Sequence, residues 1–188
     1  MRPMRRMPAP PARQPSWSIE MIPSPARQSW LSECVARVLA RLEQRARAEW
    51  VIELRHLADH WSTDIAAHYA RLRVTQTTPA FWRRLAAGQD DDPAVAVFRQ
   101  AWHYGLAITM DIDPACFGLL PVAGLAALPV RLCTGQDIPV YLLARRVAGY
   151  RDIALLAPGH LVLARAVLLT ALARDEIDKR RIQLFRQV

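Results

Sequence analysis

The residues that could do chemistry are concentrated between positions 53 and 68. Glu53, His56, Asp59, His60, Asp64 and His68 all fall in this stretch. On a continuous helix, His56, His60 and Asp64 share one face, and two imidazoles on one face can bind a metal ion. Glu53 and His56 also form a Glu-x-x-His pair, which di-iron helix bundles use twice together with bridging glutamates. The sequence supplies no second pair. We therefore interpret the cluster as a solvated polar face, keep His56, His60 and Asp64 as weak metal candidates, and predict neither a bound metal nor a cofactor.

Other combinations of reactive side chains are weaker still. The acidic run 90–92 stands directly before Pro93 and is interpreted as a helix cap, not as a cation site. His103, Tyr104, Asp111 and Asp113 could form an acid–base site, but nothing in their spacing brings them together. The sequence has no Gly-rich phosphate loop and no Gly-x-Ser-x-Gly elbow, and Lys179 is its only lysine. We predict no catalytic residue and no enzymatic activity.

Helices are the elements predicted to position these residues. From Leu31 to Ile65, apolar residues recur at steps of three and four, which predicts an amphipathic helix over about 29–60 and a second over about 63–73. Three cap–proline pairs, at 78–79, 92–93 and 113–114, predict further helix starts. Short helices are expected over 114–136, and longer ones over 137–149 and from about 159 to 186. With no long alternating pattern and no solenoid-length repeat, the prediction is an all-α fold, an irregular bundle of about six to eight helices.

Composition divides the chain into an arm and a domain. The whole chain has a formal charge of +8 and is 52% hydrophobic, enough for a sizeable core. Residues 1–28 carry five arginines against one glutamate, and seven of the 14 prolines, which predicts a disordered basic arm. Residues 29–188 are predicted to form a single α-helical domain. A start codon at Met4, Met7 or Met21 would shorten the arm.

Cysteines and hydropathy indicate a cytosolic protein. Cys34, Cys116 and Cys133 are odd in number and lack metal-binding spacing, so we interpret them as reduced thiols. The longest uncharged run, residues 114–130, is short for a bilayer span and interrupted by prolines and glycines.

A basic segment over residues 65–85 loosely resembles a helix-turn-helix. Its second helix would present Gln76, Thr77, Thr78, Arg83 and Arg84 to a DNA groove. Pro79 would then lie inside the recognition helix, and no glycine marks the turn. A DNA-binding transcriptional regulator is therefore the alternative function.

The C-terminal third carries the predicted partner surface. Residues 161–173 are apolar nearly all round, so a helix here must be covered by other protein, whereas residues 174–181 are charged. Arginine and aromatic residues dominate interface hot spots. The predicted partner-binding residues on this final helix are Arg174, Glu176, Lys179, Arg180, Arg181, Leu184 and Phe185.

The same region resembles a known family. Residues 138–151 form a leucine- and alanine-rich helix ending in glycine, residues 153–158 a short leucine turn, and residues 171–177 the start of an Arg-rich helix. Together with Ser29-Trp30-Leu31, this order is similar to the accessory proteins of type III secretion sorting platforms, the YscK/OrgA family. The resemblance implies a non-enzymatic, cytoplasmic, α-helical adaptor that links a membrane ring to a soluble platform protein, peripheral to the inner membrane and acting through protein contacts.

Overall fold

The structure of the protein is a computed structural model that describes residues 25–187. The chain consists of two compact units, Met1–Leu39 and Ala40–Val188. The predicted basic arm lies mostly outside the described residues, which begin with helix α1 (Pro25–Arg47). The first unit is described only as the N-terminal part of this helix. The second unit contains every strand and all the other helices described.

A mixed seven-stranded sheet organises the second unit, in the order β1-β2-β3-β4-β5-β7-β9. Its strands are β1 (Glu49–Glu53), β2 (Arg71–Thr75), β3 (Ala107–Asp111), β4 (Val130–Cys133), β5 (Pro139–Leu143), β7 (His160–Leu163) and β9 (Gln183–Arg186). A second, two-stranded sheet pairs β6 (Val147–Ala148) with β8 (Leu168–Leu169). The helices are α2 (Leu54–His60), α3 (Thr63–His68), α4 (Pro79–Ala87), α5 (Pro93–His103), α6 (Val122–Leu125), α7 (Tyr150–Ile153) and α8 (Ala171–Lys179), with a 3-10 helix at Pro114–Leu119.

The strand direction reverses once, between β4 and β5. Strands β1 to β4 are mutually parallel, β4 and β5 are antiparallel, and β5, β7 and β9 are again parallel. Crossovers between parallel strands are almost always right-handed, so reversing the strands moves the connecting helices to the other face of the sheet. The structure therefore has one hydrophobic cluster on each face.

The first cluster packs Leu72, Val74, Ile108 and Met110 of β2 and β3 against helices α2, α4, α5 and α6. Phe81, Trp82 and Phe98 from these helices are fully buried in it. The second cluster packs Leu161 and Leu163 of β7, on the opposite face, against Ile153, Ala173 and Ile177 of α7 and α8.

Two successive strand–strand–helix units build the C-terminal half. The pairing of β5 with β7 joins residues 20 positions apart, such as Val140 with His160, and that of β6 with β8 joins Val147 with Leu168. Leu-Ala-Arg occurs at 143–145 and again at 163–165, at the same offset.

The predicted all-α fold is wrong, since the structure is α/β. The long helix predicted over residues 29–60 ends at Arg47, and Trp50, Val51 and Ile52 lie in β1. β-branched and aromatic residues favour this extended backbone. The helix predicted from residue 159 is replaced by β7, whose four residues are all buried, followed by β8, α8 and β9. A fully buried strand reads as a continuous apolar run, and periodicity cannot distinguish that run from a buried helix.

The local cap predictions were confirmed. Thr78 accepts a hydrogen bond from the N–H of Phe81 and caps α4, which ends at Gly88 in the left-handed conformation. Asp92 accepts from the N–H groups of Ala94 and Val95 and caps α5. These signals depend only on neighbouring residues, so the unexpected sheet did not affect them.

Candidate functional site

Residues 25–187 leave one face of the parallel half of the sheet open. By the strand register, Glu49, Val51 and Glu53 share a face with Arg71, Arg73, Asp111 and Arg131, opposite the face that packs on the first cluster. Val51 is 56% exposed on this face, whereas Leu72 and Val74, on the covered face, are completely buried. Parallel sheets are nearly always covered on both faces, so this open face is an unusual feature of the fold.

A polar cluster lies on the open face, near the carboxyl ends of β2, β3 and β4. The Arg73 guanidinium donates from Nε to both carboxylate oxygens of Asp111, at 3.0 and 3.2 Å, and from Nη1 to Asp137. The Cys133 thiol lies 3.0 Å from Asp111 Oδ1. Asp137, in the turn between β4 and β5, has a positive φ of 61°. We call these four residues the Arg73 cluster.

Burial and hydrogen bonding set the protonation states of the Arg73 cluster. Burial alone would lower the pKa of Arg73, but hydrogen bonds to Asp111 and Asp137 outweigh it, so the pKa is raised and the guanidinium stays charged. Burial, followed by the hydrogen bond to Asp111, raises the pKa of the Cys133 thiol to about 12. The thiol is therefore protonated at neutral pH and donates to the carboxylate.

This arrangement suits a structural role better than catalysis. A nucleophilic cysteine needs a lowered thiol pKa, and the pKa of Cys133 is raised. Arg73 and Asp111 neutralise each other with side chains only 17% and 15% exposed. The cluster ties three strands and one turn together.

The metal candidates do not share one helix face. His56 and His60 lie on α2, with ring centroids 5.8 Å apart, and His60 Nδ1 is 3.0 Å from the carbonyl oxygen of His56. The helix ends at His60, and Asp64 lies on α3, so the predicted i, i+4, i+8 alignment was wrong. Among residues 25–187, no three His, Cys, Asp or Glu side chains are grouped to hold a metal ion.

The residues proposed to contact DNA serve the fold instead of forming a recognition helix. Residues 71–75 form β2, so the first helix of the predicted motif is interrupted. Gln76 donates to Glu53, Thr77 donates to the carbonyl of Asp111, and Thr78 caps α4. Arg83 is exposed, and Arg84 pairs with Asp92 at 2.6 Å. The predicted helix-turn-helix was wrong.

The predicted partner surface is divided between two elements and the turn that joins them. Arg174, Glu176 and Lys179 lie on α8, Arg180 and Arg181 follow it, and Leu184 and Phe185 lie on β9. Glu176 is buried and accepts from Arg180, and Phe185 packs edge-to-face on Phe117, so these side chains stabilise the fold. Arg174 and Leu184 line an open cleft of about 440 Å³. Their role in binding stays a prediction.

Helix α1 carries the largest set of exposed apolar side chains in the described chain. Leu31, Val35, Val38 and Leu42 follow one another at steps of four, three and four and are each 47–56% exposed, with Trp30 59% and Leu39 54% exposed beside them. We call these six residues the α1 stripe. Such spacing places the four on one helix face, as in the seam of a coiled coil. Exposed contiguous apolar surface marks an interaction site.

Sequence reasoning missed the open face and the Arg73 cluster. Asp111 was considered only in an acid–base site with His103, Tyr104 and Asp113, and Asp113 caps the 3-10 helix, as its cap–proline pair predicts. A usable signal was present, since the polar residues at 75–76, at 111 and at 134 follow short segments with apolar residues at alternate positions. In a parallel sheet such positions meet at one edge.

Within residues 25–187, no helix is both long and apolar enough to span a bilayer. Two curated relatives resemble the chain over nearly their full length. It is 29% identical over 157 residues to the bacterial microcompartment assembly protein PduM of Salmonella typhimurium, covering 84% of this chain and 96% of that protein. Its identity to PduM of Citrobacter freundii is 26%, with the same coverage. No solved structure matches the chain.

These relatives contradict the resemblance to type III secretion accessory proteins, and neither is named as a DNA-binding regulator. The predicted secretion adaptor, its secretion-apparatus partners and its DNA-binding alternative were wrong. The model of the PDU_like family, described as "Putative propanediol utilisation", matches residues 33–183, four-fifths of the sequence and all but the last five residues of the α/β unit. The chain belongs to this propanediol-utilisation family.

Proposed function

We propose that this chain is a non-enzymatic assembly protein of a bacterial microcompartment for propanediol utilisation, and that it works in the cytoplasm by binding other proteins. The named function of the two relatives supports this proposal, because they align with 84% of the chain. The observation that carries the mode of action is the α1 stripe. An assembly protein needs surfaces that bind other proteins, and this helix exposes one.

The charge of α1 defines the kind of partner. Five arginines and two glutamates give residues 25–47 a net charge of +3. Arg37 and Arg41 lie along one side of the α1 stripe, beside Trp30, and Glu33 pairs with Arg37 at 3.6 Å. The complementary surface is an apolar groove, or the apolar face of another helix, with acidic residues along its rim.

The Arg73 cluster supports a non-enzymatic role. Its acid and base neutralise each other, and its thiol is held protonated. The Cys133 thiol is the group that could attack a substrate, and the cluster keeps it in the protonated, unreactive form.

Substitutions in the α1 stripe test the proposal in the chain's own host, grown on propanediol. Deleting the gene should produce malformed microcompartments in electron micrographs, and the wild-type gene should restore them. The double variant Leu31→Asp, Val38→Asp should fail to restore them, because two carboxylates would enter the apolar contact. The matched control is Ala36→Asp, Ala40→Asp, which adds the same charge on the opposite face of α1 and should complement fully.

Two results would refute the proposal. One is normal microcompartments in the deletion strain together with a block in propanediol metabolism, which would indicate an enzyme. The other is full complementation by the stripe variant, which would mean that α1 is not the contact surface. Circular dichroism of the purified variants verifies that helix content is unchanged.

A further inference from the structure

The two edges of the main sheet are complementary in charge and in the placement of their apolar residues. Strand β1 forms one edge and carries Glu49, which is exposed and has no ion-pair partner in the described chain. Strand β9 forms the other edge and carries Arg186, whose Nη1 donates to the carbonyl of Val167 at 2.8 Å but meets no carboxylate among the described residues. An unpaired edge strand exposes backbone groups that can pair with another strand.

The apolar residues of the two edges also correspond. On the open face, β1 exposes Val51 by 56%, and on the same face of the sheet β9 exposes Leu184 by 44%. Leu184 and Arg186 line the cleft of about 440 Å³ that runs beside β9. On the other face, Trp50 and Phe185 are each half-buried against the first cluster. Strand β1 runs antiparallel to β9 because the sheet reverses once between them.

We propose that copies of this chain join head to tail, with β9 of one copy pairing antiparallel to β1 of the next. The register that places Glu49 opposite Arg186 also places Trp50 opposite Phe185 and Val51 opposite Leu184. Each pair then lies on one face of the joined sheet, as side-chain alternation requires. The contact uses two different surfaces, so it repeats from copy to copy and produces a ring or a filament.

Symmetric pairing of like edges fits the charges less well. An antiparallel β1–β1 contact centred on Val51 would place Glu49 opposite Glu53 twice, and like charges directly opposite are destabilising. A β9–β9 contact would leave both acidic edges unused. The head-to-tail arrangement is the one that pairs an acid with a base. It also depends on different residues from the α1 stripe, so either proposal can fail while the other stands.

A charge-swap mixture tests the contact. Sedimentation velocity of the full-length chain at increasing concentration should show self-association that weakens with added salt. Glu49→Arg alone and Arg186→Glu alone should each weaken association at least about tenfold, since each places like charges opposite one another. Mixing the two variants should restore it, because every junction in an alternating assembly again pairs an acid with a base. Asp91→Arg, an exposed loop substitution of the same charge change, should have no effect.

A second pair of variants is available in case Arg186→Glu does not fold. Arg186 also bonds to backbone carbonyls, so circular dichroism must show that Arg186→Glu is folded. If it is not, Val51→Asp and Leu184→Lys replace the first pair, because both are exposed and should likewise associate only when mixed. A chain that stays monomeric at all accessible concentrations would overturn the proposal. Association unaffected by Glu49→Arg, or mixtures that fail to recover, would do so as well.

Discussion

Replacing Asp111 with alanine should destabilise the α/β unit by several kcal/mol. In the structure the carboxylate accepts three contacts from the Arg73 guanidinium at 3.0–3.2 Å and one from the Cys133 thiol at 3.0 Å. Removing it would leave Arg73 with Asp137, whose side chain is 76% exposed, as its remaining acidic partner. Leaving one charge of a buried pair without its partner costs about 3–5 kcal/mol. Because both side chains keep a little exposure, we expect about 3 kcal/mol.

Urea denaturation followed by far-UV circular dichroism measures this loss as a change in the free energy of unfolding. For a chain of this length, a loss of about 3 kcal/mol corresponds to a decrease in Tm of about 6–12 °C. The double variant Arg73→Met, Asp111→Leu should recover most of the stability, since an apolar pair of similar volume replaces a buried ion pair at little cost. Arg131→Met is the matched control, because Arg131 lies exposed on the same face and should change the free energy by less than about 0.5 kcal/mol.

The reasoning would be refuted if Asp111→Ala lowered the free energy of unfolding by less than about 1 kcal/mol, the value of a surface ion pair. It would also be refuted if the losses of unfolding free energy for Arg73→Met alone and Asp111→Leu alone added up to the loss for the double variant. In either case Arg73 and Asp111 would behave as an exposed ion pair, and the Arg73 cluster would not hold the strands together.

The remaining predictions concern the Cys133 thiol and one close backbone contact. The pKa of Cys133 is about 12 in the folded chain and about 8.5 when unfolded, so its contribution is complete below pH 8.5 and is lost as the pH rises towards 12. Cys133→Ala should flatten the decrease in the free energy of unfolding measured above pH 8.5. An added Cβ at Gly159 would lie 2.5 Å from the Pro139 carbonyl oxygen, so Gly159→Ala should cost about 1–3 kcal/mol in urea denaturation. At Gly135, where no atom beyond the two adjacent residues lies within 4 Å of the added Cβ, the same change should have little effect.

Local features of this fold could be predicted from the sequence, and long-range ones could not. The caps at Thr78 and Asp92 depend on three or four neighbouring residues, and the structure has both. Each strand of the main sheet is only four or five residues long, and the apolar spacing around Trp50 also matches a helix. Residues 49–53 form a strand because they pair with residues 71–75. Local periodicity gives no information about pairing between segments that are distant in the sequence.

The Arg73 cluster was out of reach for the same reason. Its hydrogen-bonded pairs are separated by 22 to 64 positions, and they meet because β2, β3 and β4 lie side by side with their carboxyl ends at one edge. The partner surface predicted at the C-terminus assumed a continuous helix. In the structure only residues 171–179 of that helix remain helical, as α8, and β9 takes its end, so Glu176 and Phe185 are needed inside the fold.

The junction between β4 and β5, where the strand direction reverses, has the fewest paired residues in the main sheet. Only two residue pairs join the strands there, against four or five at every other junction of the main sheet, and one of the two contains Pro139, which has no N–H to donate. Beyond those pairs the strands separate around a largely aliphatic cavity of about 520 Å³. The guanidinium of Arg73 reaches Asp137 in the connecting turn, so an ion pair braces the place where backbone bonding is sparsest. A mechanical load on the sheet would be borne there by side chains.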